Sequence, residues 1–438
     1  MGKLFAALVT RVAALLYGLT LRNCVLVVFT GLIVFVGCKD SGKTGDGCEG
    51  FCTGPGCEYA SYFGVLTSPD DSLQVRGVVT ISPSDGSVDT LLVDAPLRRI
   101  ICMSTSNVAA LSAIEADSVI VAVSGLKYIT DRKVLSRSES GDIQDVGYEN
   151  SLDYETILRL APDLIVAYTV GDAEPPFLTK LRTLGLRVMV VYDHLEQHPL
   201  ARAEYVKLFG ALTGRLDVAH DFFAGVRDRY LALTVSAAAP VASVPSSSSD
   251  SSAASSGAAS VASSASAPSP PSDSSAAFDT DPVDSSGAAP SELVGPVKVL
   301  MNIPYADSWY IPGVDNYMSR LVRDAGGVVL GAAEGSASSV ISVEQAYRLS
   351  LEADMWLCPG YCTSRSQLES IHHLFPHFGP ISKGLPIYNN VLRVNSAGGN
   401  DFWESGSVRP DMILEDLKTI FSSCRSSNTL EFNYFIEL

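Results

Sequence analysis

The sequence predicts an α/β protein of two lobes with mostly parallel sheets, joined by one long helical connector. Three observations predict it. Short apolar strands alternate with helical stretches between Arg99 and Val191. The same alternation returns between Val297 and Phe421. Between them, Val206, Phe209, Ala219, Phe222, Phe223, Val226 and Tyr230 recur at three- and four-residue steps, the apolar stripe of a long helical segment in which Gly214 is the candidate interruption.

Ahead of the lobes lies an address. Lys3, Arg11 and Arg22 punctuate the start, and Asn23–Gly37 then carries no charge. That run is short for a bilayer span of about 20 residues and suits a signal-peptide apolar region. It ends at Val36-Gly37-Cys38, which resembles a bacterial lipobox. Residues 1–37 are therefore expected to be a lipoprotein signal peptide, with Cys38 lipidated. An uncleaved N-terminal anchor is the alternative. Residues 38–58 are Gly-rich and polar, a tether in which Cys48, Cys52 and Cys57 are expected to form disulfides rather than a metal site.

The first lobe is assigned to residues 59–197. Glu58–Leu66, Gln74–Ile81 and Asp89–Val93, divided by turn residues, predict a leading antiparallel hairpin. Arg99–Met103 is a strand, and Ser104 caps a helix running to about Glu115. Val119–Val123, Asp163–Ala167 and Arg187–Val191 are further strands, with helices at Leu152–Leu160 and Pro176–Leu184. The connector occupies 198–234. Residues 235–294 form an insert so rich in Ser and Ala that it has almost nothing to bury, and it is expected to be disordered. The second lobe, 295–424, has strands at Val297–Met301, Asp354–Leu357 and Pro386–Tyr388 and helices at Asn316–Ala325, Val343–Leu349 and Asp411–Phe421. Residues 425–438 read as a tail.

Charge and motifs exclude whole classes. The 438 residues carry 31 Lys+Arg against 48 Asp+Glu, a net charge of -17, so no nucleic-acid partner is expected. No G-x-S-x-G elbow or H-E-x-x-H occurs, and no P-loop or G-x-G-x-x-G follows a strand, so no enzyme and no catalytic residue is expected. Pro376 interrupts any helix through His372, His373 and His377, which leaves no resident metal site in view. For Cys358 and Cys362, a tight disulfide and free thiols both stay open.

One feature repeats. Glu155, Arg159-Leu160 and Asp163 in the first lobe are matched by Glu344, Arg348-Leu349 and Asp354 in the second. Each Glu falls in the first turn of a helix, where it complements the helix dipole by about 0.3–1 kcal/mol. One in each lobe also makes a pair of surface charges suited to a two-fold partner.

Arg99–Ser106, Leu160–Val166, Leu184–Val188, Leu208–Gly214 and Asp324–Gly327, in this order and spacing, resemble the class III periplasmic substrate-binding proteins, the cobalamin, siderophore and haem group of ABC importers. Gly399–Gly406 (GNDFWESG) is similar to a subgroup from several anaerobic bacteria. The resemblance implies two Rossmann-like lobes around a ligand cleft. It also implies a lipid-anchored location on the periplasmic face of a bacterial membrane, and no resident cofactor. Glu155 and Glu344 would dock on the permease dimer of an importer powered by its ATPase. The implied cargo is a metal chelate, with a ferric siderophore or haem ahead and cobalamin as the alternative. A nitrogenase-like or chelatase-like enzyme and a surface lipoprotein without a transport role are the rival readings.

If a cleft exists at the carboxyl ends of the strands, the residues there line it. In the first lobe these include Ser104, Thr105, Ser124, Tyr128, Tyr148 and Tyr168. In the second they include Tyr305, Trp309, Tyr310 and Trp403, with Trp309 the leading aromatic. Aromatic side chains suit a large planar or macrocyclic ligand through stacking and area.

Overall fold

The computed structural model describes residues 56–68, 71–148, 151–171, 174–235, 295–306, 308–423 and 431–438. The signal segment, Cys38, Cys48, Cys52 and the Ser/Ala-rich insert lie outside the described residues. Cys57 is a free thiol.

The leading strands are β1 (Phe63–Ser68), β2 (Asp71–Ile81) and β3 (Val88–Leu92), an antiparallel sheet in that order, so the expected hairpin is a three-stranded meander. Residues 58–62 do not extend β1, because two buried carboxylates take their amides. Glu204 accepts from the N–H groups of Glu58, Tyr59 and Ala60 at 2.8, 2.8 and 2.9 Å. Glu196 accepts from those of Ser61 and Tyr62 at 2.8 and 3.0 Å.

The first lobe then alternates through β4 (Ile100–Cys102), α1 (Thr105–Ala113), β5 (Ile120–Val123), α2 (Arg132–Glu139), β6 (Gln144–Asp145), α3 (Tyr154–Leu160), β7 (Leu164–Ala167), α4 (Pro176–Thr183) and β8 (Val188–Val190). Its sheet is wholly parallel in the order β6-β5-β4-β7-β8. Every residue of β4, β5 and β7 is buried. Helices on both faces explain why these strands read as apolar runs rather than alternating ones.

The connector is two helices, α5 (Pro199–Thr213) and α6 (Leu216–Val235), because Gly214 takes φ 71° and turns the chain back. The helices lie antiparallel: the ring of His198, at the start of α5, is 6.2 Å from that of Tyr230, near the end of α6. One helix serves each lobe. Leu212 of α5 accepts from the Leu97 N–H at 2.9 Å, just before β4. From α6, Arg229 reaches Asp411 at 2.7 Å and Tyr230 reaches Asp324 at 2.6 Å in the second lobe.

The second lobe runs through β9 (Val297–Met301), β10 (Pro304–Tyr305), β11 (Ser308–Ile311), α7 (Tyr317–Asp324), β12 (Gly327–Val329), β13 (Ser339–Ile341), α8 (Val343–Ser350), β14 (Met355–Leu357), α9 (Arg365–Ile371), α10 (Gly379–Ser382), β15 (Ile387–Asn389), α11 (Pro410–Ser423) and β16 (Ile436–Glu437). Its main sheet has the order β12-β9-β14-β15-β16, parallel except for β16, and β10-β11-β13 form a small antiparallel sheet. The expected tail is thereby corrected. Its last residues are the edge of the second lobe's sheet, with Tyr434 and Phe435 each 1% exposed. Buried Asp416 makes this possible by accepting from the Asn433 and Tyr434 amides.

The two lobes share one topology. The strands β5-β4-β7-β8 correspond in order to β12-β9-β14-β15. The repeated aspartates do the same work in each. Asp163, before β7, accepts from the Arg98 and Arg99 amides leading into β4, at 2.7 and 2.9 Å. Asp354, before β14, accepts from the Lys298 amide in β9 at 2.8 Å.

Glu204 and its neighbour Lys207 test what holds the leading segment. Lys207 Nζ donates to Glu204 at 2.7 Å and lies 4.3 Å from the Phe223 ring centroid. Glu204→Ala strands three amides and leaves the buried Lys207 ammonium with only its 3.3 Å partner Glu58, so denaturant unfolding should show a loss of about 3 kcal/mol. Lys207→Met leaves Glu204 its three amide donors and should cost less. An equal or larger loss for Lys207→Met would put the ion pair, and not the amide capture, in control.

Candidate functional site

Six of the residues expected at a cleft meet in one pocket of about 670 Å³ in the first lobe: Ser104, Thr105, Ser124, Tyr128, Tyr148 and Tyr168. The pocket lies at the carboxyl ends of β4, β5, β6 and β7, where four strands deliver their loops to one rim. Ser104 is also the N-cap of α1, its hydroxyl accepting from the Ser106 N–H at 3.3 Å. Ser124 Oγ donates to the Gly147 carbonyl at 2.8 Å, which binds two of the loops together. The phenol oxygens of Tyr148 and Tyr168 are 2.9 Å apart. Lys127 brings a cation to the same wall, 4.9 Å from the Tyr128 ring centroid.

Asp145 shapes this rim without having been singled out. Its carboxylate accepts from the amides of Gly125, Leu126 and Gly147 at 3.1, 3.1 and 3.0 Å. It ends a two-residue strand, too short for any periodicity to show. A second pocket, of about 690 Å³, lies between the β2–β3 turn and the loops after β7 and β8. Ser82, Asp85, Asp89, Thr169, Arg182 and Tyr192 are among its lining residues, and none of the six is.

In the second lobe the expectation for Trp309 is corrected. Trp309 is 0% exposed and lies in an aromatic core with Trp356, Phe375 and Phe378, stacked on Phe378 at 5.8 Å. Its indole N–H donates to the Met301 carbonyl at 2.9 Å. The reason is the period-two alternation of β11: Trp309 faces in, so Tyr310 faces out. Tyr305 and Tyr310 are 81% and 43% exposed beside the carboxyl end of β9, and Trp403 is 47% exposed in the loop after β15. None of these three lines the first-lobe pocket. The pattern extends further. Among the described residues, the exposed aromatics are Tyr128, Tyr148, Tyr305, Tyr310, Tyr361 and Trp403. All six stand on segments that follow the carboxyl ends of parallel strands.

The two rims touch. Glu404, 1% exposed, follows β15 in the second lobe. It accepts from Thr130 N–H and Oγ–H, each at 2.7 Å, and from Asp131 N–H at 2.9 Å, in the loop after β5 of the first lobe. The carboxyl edges of the two sheets therefore approach each other.

Over residues 100–247 the chain matches the sequence model of the periplasmic binding protein family. It is 22% identical over 339 residues to an uncharacterized lipoprotein of Methanocaldococcus jannaschii, covering 75% of this chain and 66% of that one, just under two thirds of its length. A periplasmic binding protein from Veillonella parvula superposes with a TM-score of 0.50 at 10% identity, covering 81% of this chain and 99% of that one. A periplasmic heme binding protein from Pseudomonas aeruginosa does so with a TM-score of 0.49 at 15% identity, covering 78% and 98%. The chain has the fold of a periplasmic binding protein.

Within this binding-protein fold, Glu155 and Glu344 occupy equivalent places. Each is exposed in the first turn of the helix leading into the partner of its lobe's first strand, α3 before β7 and α8 before β14. Such helices run back against their strands, so both glutamates start at the carboxyl edge, on the side of the rims. The Ser342 hydroxyl holds the Glu344 carboxyl below its usual range. Other candidates are absorbed by structure. His198 caps α5 by accepting from the Leu200 N–H at 3.0 Å, His372 accepts from the Leu374 N–H at 3.2 Å, and Cys358 and Cys362 are free thiols.

Burial pushes the Glu404 carboxyl up to about 7, against the pull of its donors. The folded state then holds a proton that the unfolded chain releases from about pH 4.5, so this group's contribution falls as pH rises through 4.5–7. The melting-temperature deficit of Glu404→Gln should accordingly be largest near pH 5 and shrink toward pH 8. A deficit that grows with pH would show that Glu404 is ionised throughout and that its donors outweigh burial.

Proposed function

We propose that this chain is a lipid-anchored substrate-binding protein that captures a metal chelate between its two rims and delivers it to an ABC importer. The observation that carries the reading is the placement of the exposed aromatics. Six large rings kept in water are costly unless something covers them, and all six follow strand carboxyl ends of one sheet or the other. Rings so placed suit a planar or macrocyclic ligand. Lys127 and Asp145 give the first-lobe pocket one charge of each sign, so charge does not rank the chelates: a ferric siderophore or haem is the first reading and cobalamin the alternative. Binding needs a cleft and no acid–base pair, in keeping with a family of binding proteins. Cys38 would carry the lipid, holding the lobes at the outer face of the membrane. Glu155 and Glu344, at matching positions in lobes of like topology, would register the protein on two copies of a permease subunit. Rim charges of this kind contribute to encounter and orientation more than to affinity.

Two outcomes follow. Chain lacking residues 1–38 should gain stability with its ligand by mass action, about 2.7 kcal/mol at a hundredfold excess over Kd. A thermal scan with hemin, ferric enterobactin and cyanocobalamin should show one clear rise in melting temperature, and three flat responses would count against capture of a chelate. Glu155→Ala combined with Glu344→Ala should leave that rise intact and reduce cellular uptake at least tenfold. If the pair instead lost ligand binding, the glutamates would belong to the cleft.

A further inference from the structure

The segment Asn395–Glu404 belongs wholly to the second lobe, yet it meets the first-lobe turn that carries two pocket residues. Lys127 and Tyr128 line the first-lobe pocket, and the turn continues through Ile129, Thr130 and Asp131. Asn395 faces both ways. Its Oδ1 accepts from the amides of Ala397 and Gly399 at 3.0 and 2.9 Å, which closes its own loop. Its Nδ2 donates across the lobes to the carbonyls of Lys127 and Ile129 at 2.9 and 3.0 Å. These carbonyls flank Tyr128, so the contact grips the backbone on each side of that ring.

The neighbours add to this grip. A Cβ on Gly399 would stand 2.2 Å from the Tyr128 carbonyl oxygen, so only glycine lets the loop approach this closely. Asp401 accepts from the Thr130 hydroxyl at 3.1 Å and pairs with Arg393 at 3.1 Å. Glu404 takes the two backbone amides that follow, those of Thr130 and Asp131. Asn400 ties the segment to β15's end by donating to the Asn390 carbonyl at 3.0 Å. The motif GNDFWE thus contains a close-approach glycine, a tie to its own sheet, a shared acceptor and a buried acceptor, with Phe402 packed inside at 1% exposure.

We infer that Asn395, with Gly399 and Glu404, positions Lys127 and Tyr128 from the opposite lobe, so that binding in a pocket lined by first-lobe residues depends on second-lobe residues that do not line it. This inference rests on the reading that the first-lobe pocket takes the ligand. A side chain held by a turn with one anchored carbonyl before it and one anchored carbonyl and two anchored amides after it keeps its direction, and pre-organisation of that kind lowers the ordering cost of binding.

Asn395→Asp separates the two functions of this residue. The carboxylate still accepts from Ala397 and Gly399, while both donors to the first lobe are lost. Hydrogen exchange on the full chain should then show at least tenfold faster exchange in the peptide covering residues 126–131, with the β9 and β14 amides unchanged. Whichever of hemin, ferric enterobactin or cyanocobalamin binds the unaltered chain should bind Asn395→Asp at least tenfold more weakly, and Gly399→Ala should behave alike. Asn395→Gln, which keeps a donor amide, should recover part of the loss. Unchanged exchange at 126–131 would overturn the positioning role, as would faster exchange with unchanged affinity. If none of the three probes binds the unaltered chain, the chelate reading fails by itself, and the exchange arm still decides whether Asn395 orders the turn.

Discussion

Three donors converge on one buried carboxylate where the lobes meet, and the geometry of the cleft depends on that convergence. Glu404 draws the loop after β5 against the loop after β15. Together with the bonds that Asn395 and Asp401 make to the same first-lobe turn, this contact holds the carboxyl edges together where α5 and α6 do not reach. The contact is expensive to leave half-made. A carboxyl at 1% exposure without its donors would keep unpaired buried oxygens, a cost of about 1–3 kcal/mol. The donors belong to one lobe and the acceptor to the other, so neither lobe satisfies itself alone. This is a reason for the lobes to hold a single arrangement rather than a range of them.

A second buried acceptor solves a different problem. The residues just before β1 belong to no strand of their own. Glu204 and Glu196 fasten them by collecting five consecutive backbone amides onto α5 and the turn before it. The meander then packs against the connector. Gly214 matters here, because folding the connector into two antiparallel helices gives α5 to the first lobe and α6 to the second.

Much of this was legible in the sequence, for reasons that differ by element. The buried parallel strands announced themselves as apolar runs such as Ile120–Val123, and caps such as Ser104, Asn316 and Ser342 marked helix starts. The repeat around Glu155 and Glu344 had a structural basis in Asp163 and Asp354, which tie each lobe's first strand to its neighbour. What escaped was short or non-local. Strands of two or three residues, such as β6, β10, β13 and β16, carry no periodicity. The pairing of β16 depends on Asp416 of α11, which accepts from amides 17 and 18 residues later, beyond the reach of any strand periodicity. Trp309 misled because the loop-like Pro-Gly that follows it suggested a turn, whereas a four-residue strand decides which of two adjacent aromatics is buried. Glu404 sits in a motif visible in the sequence and Asn395 lies just before it, but their partners are more than 260 positions earlier.

A cleft whose rims are tied together has to discriminate by what its rims present, since it cannot do so by how far it closes. Six exposed rings, one lysine, one aspartate and a set of hydroxyls are what these rims present. Rings tolerate any flat apolar face, so they contribute area and little selectivity. Selectivity then falls to the groups with direction: Lys127, the Ser104, Thr105 and Ser124 hydroxyls, and the hydrogen-bonded Tyr148–Tyr168 pair. All of these lie in the first lobe, while Tyr305, Tyr310, Tyr361 and Trp403 supply the rings of the second. The division suggests unequal roles for two lobes of equal topology. The first would recognise the chemistry of a ligand, and the second would cover its face and, through Asn395 and Glu404, keep the first lobe's recognition groups in place.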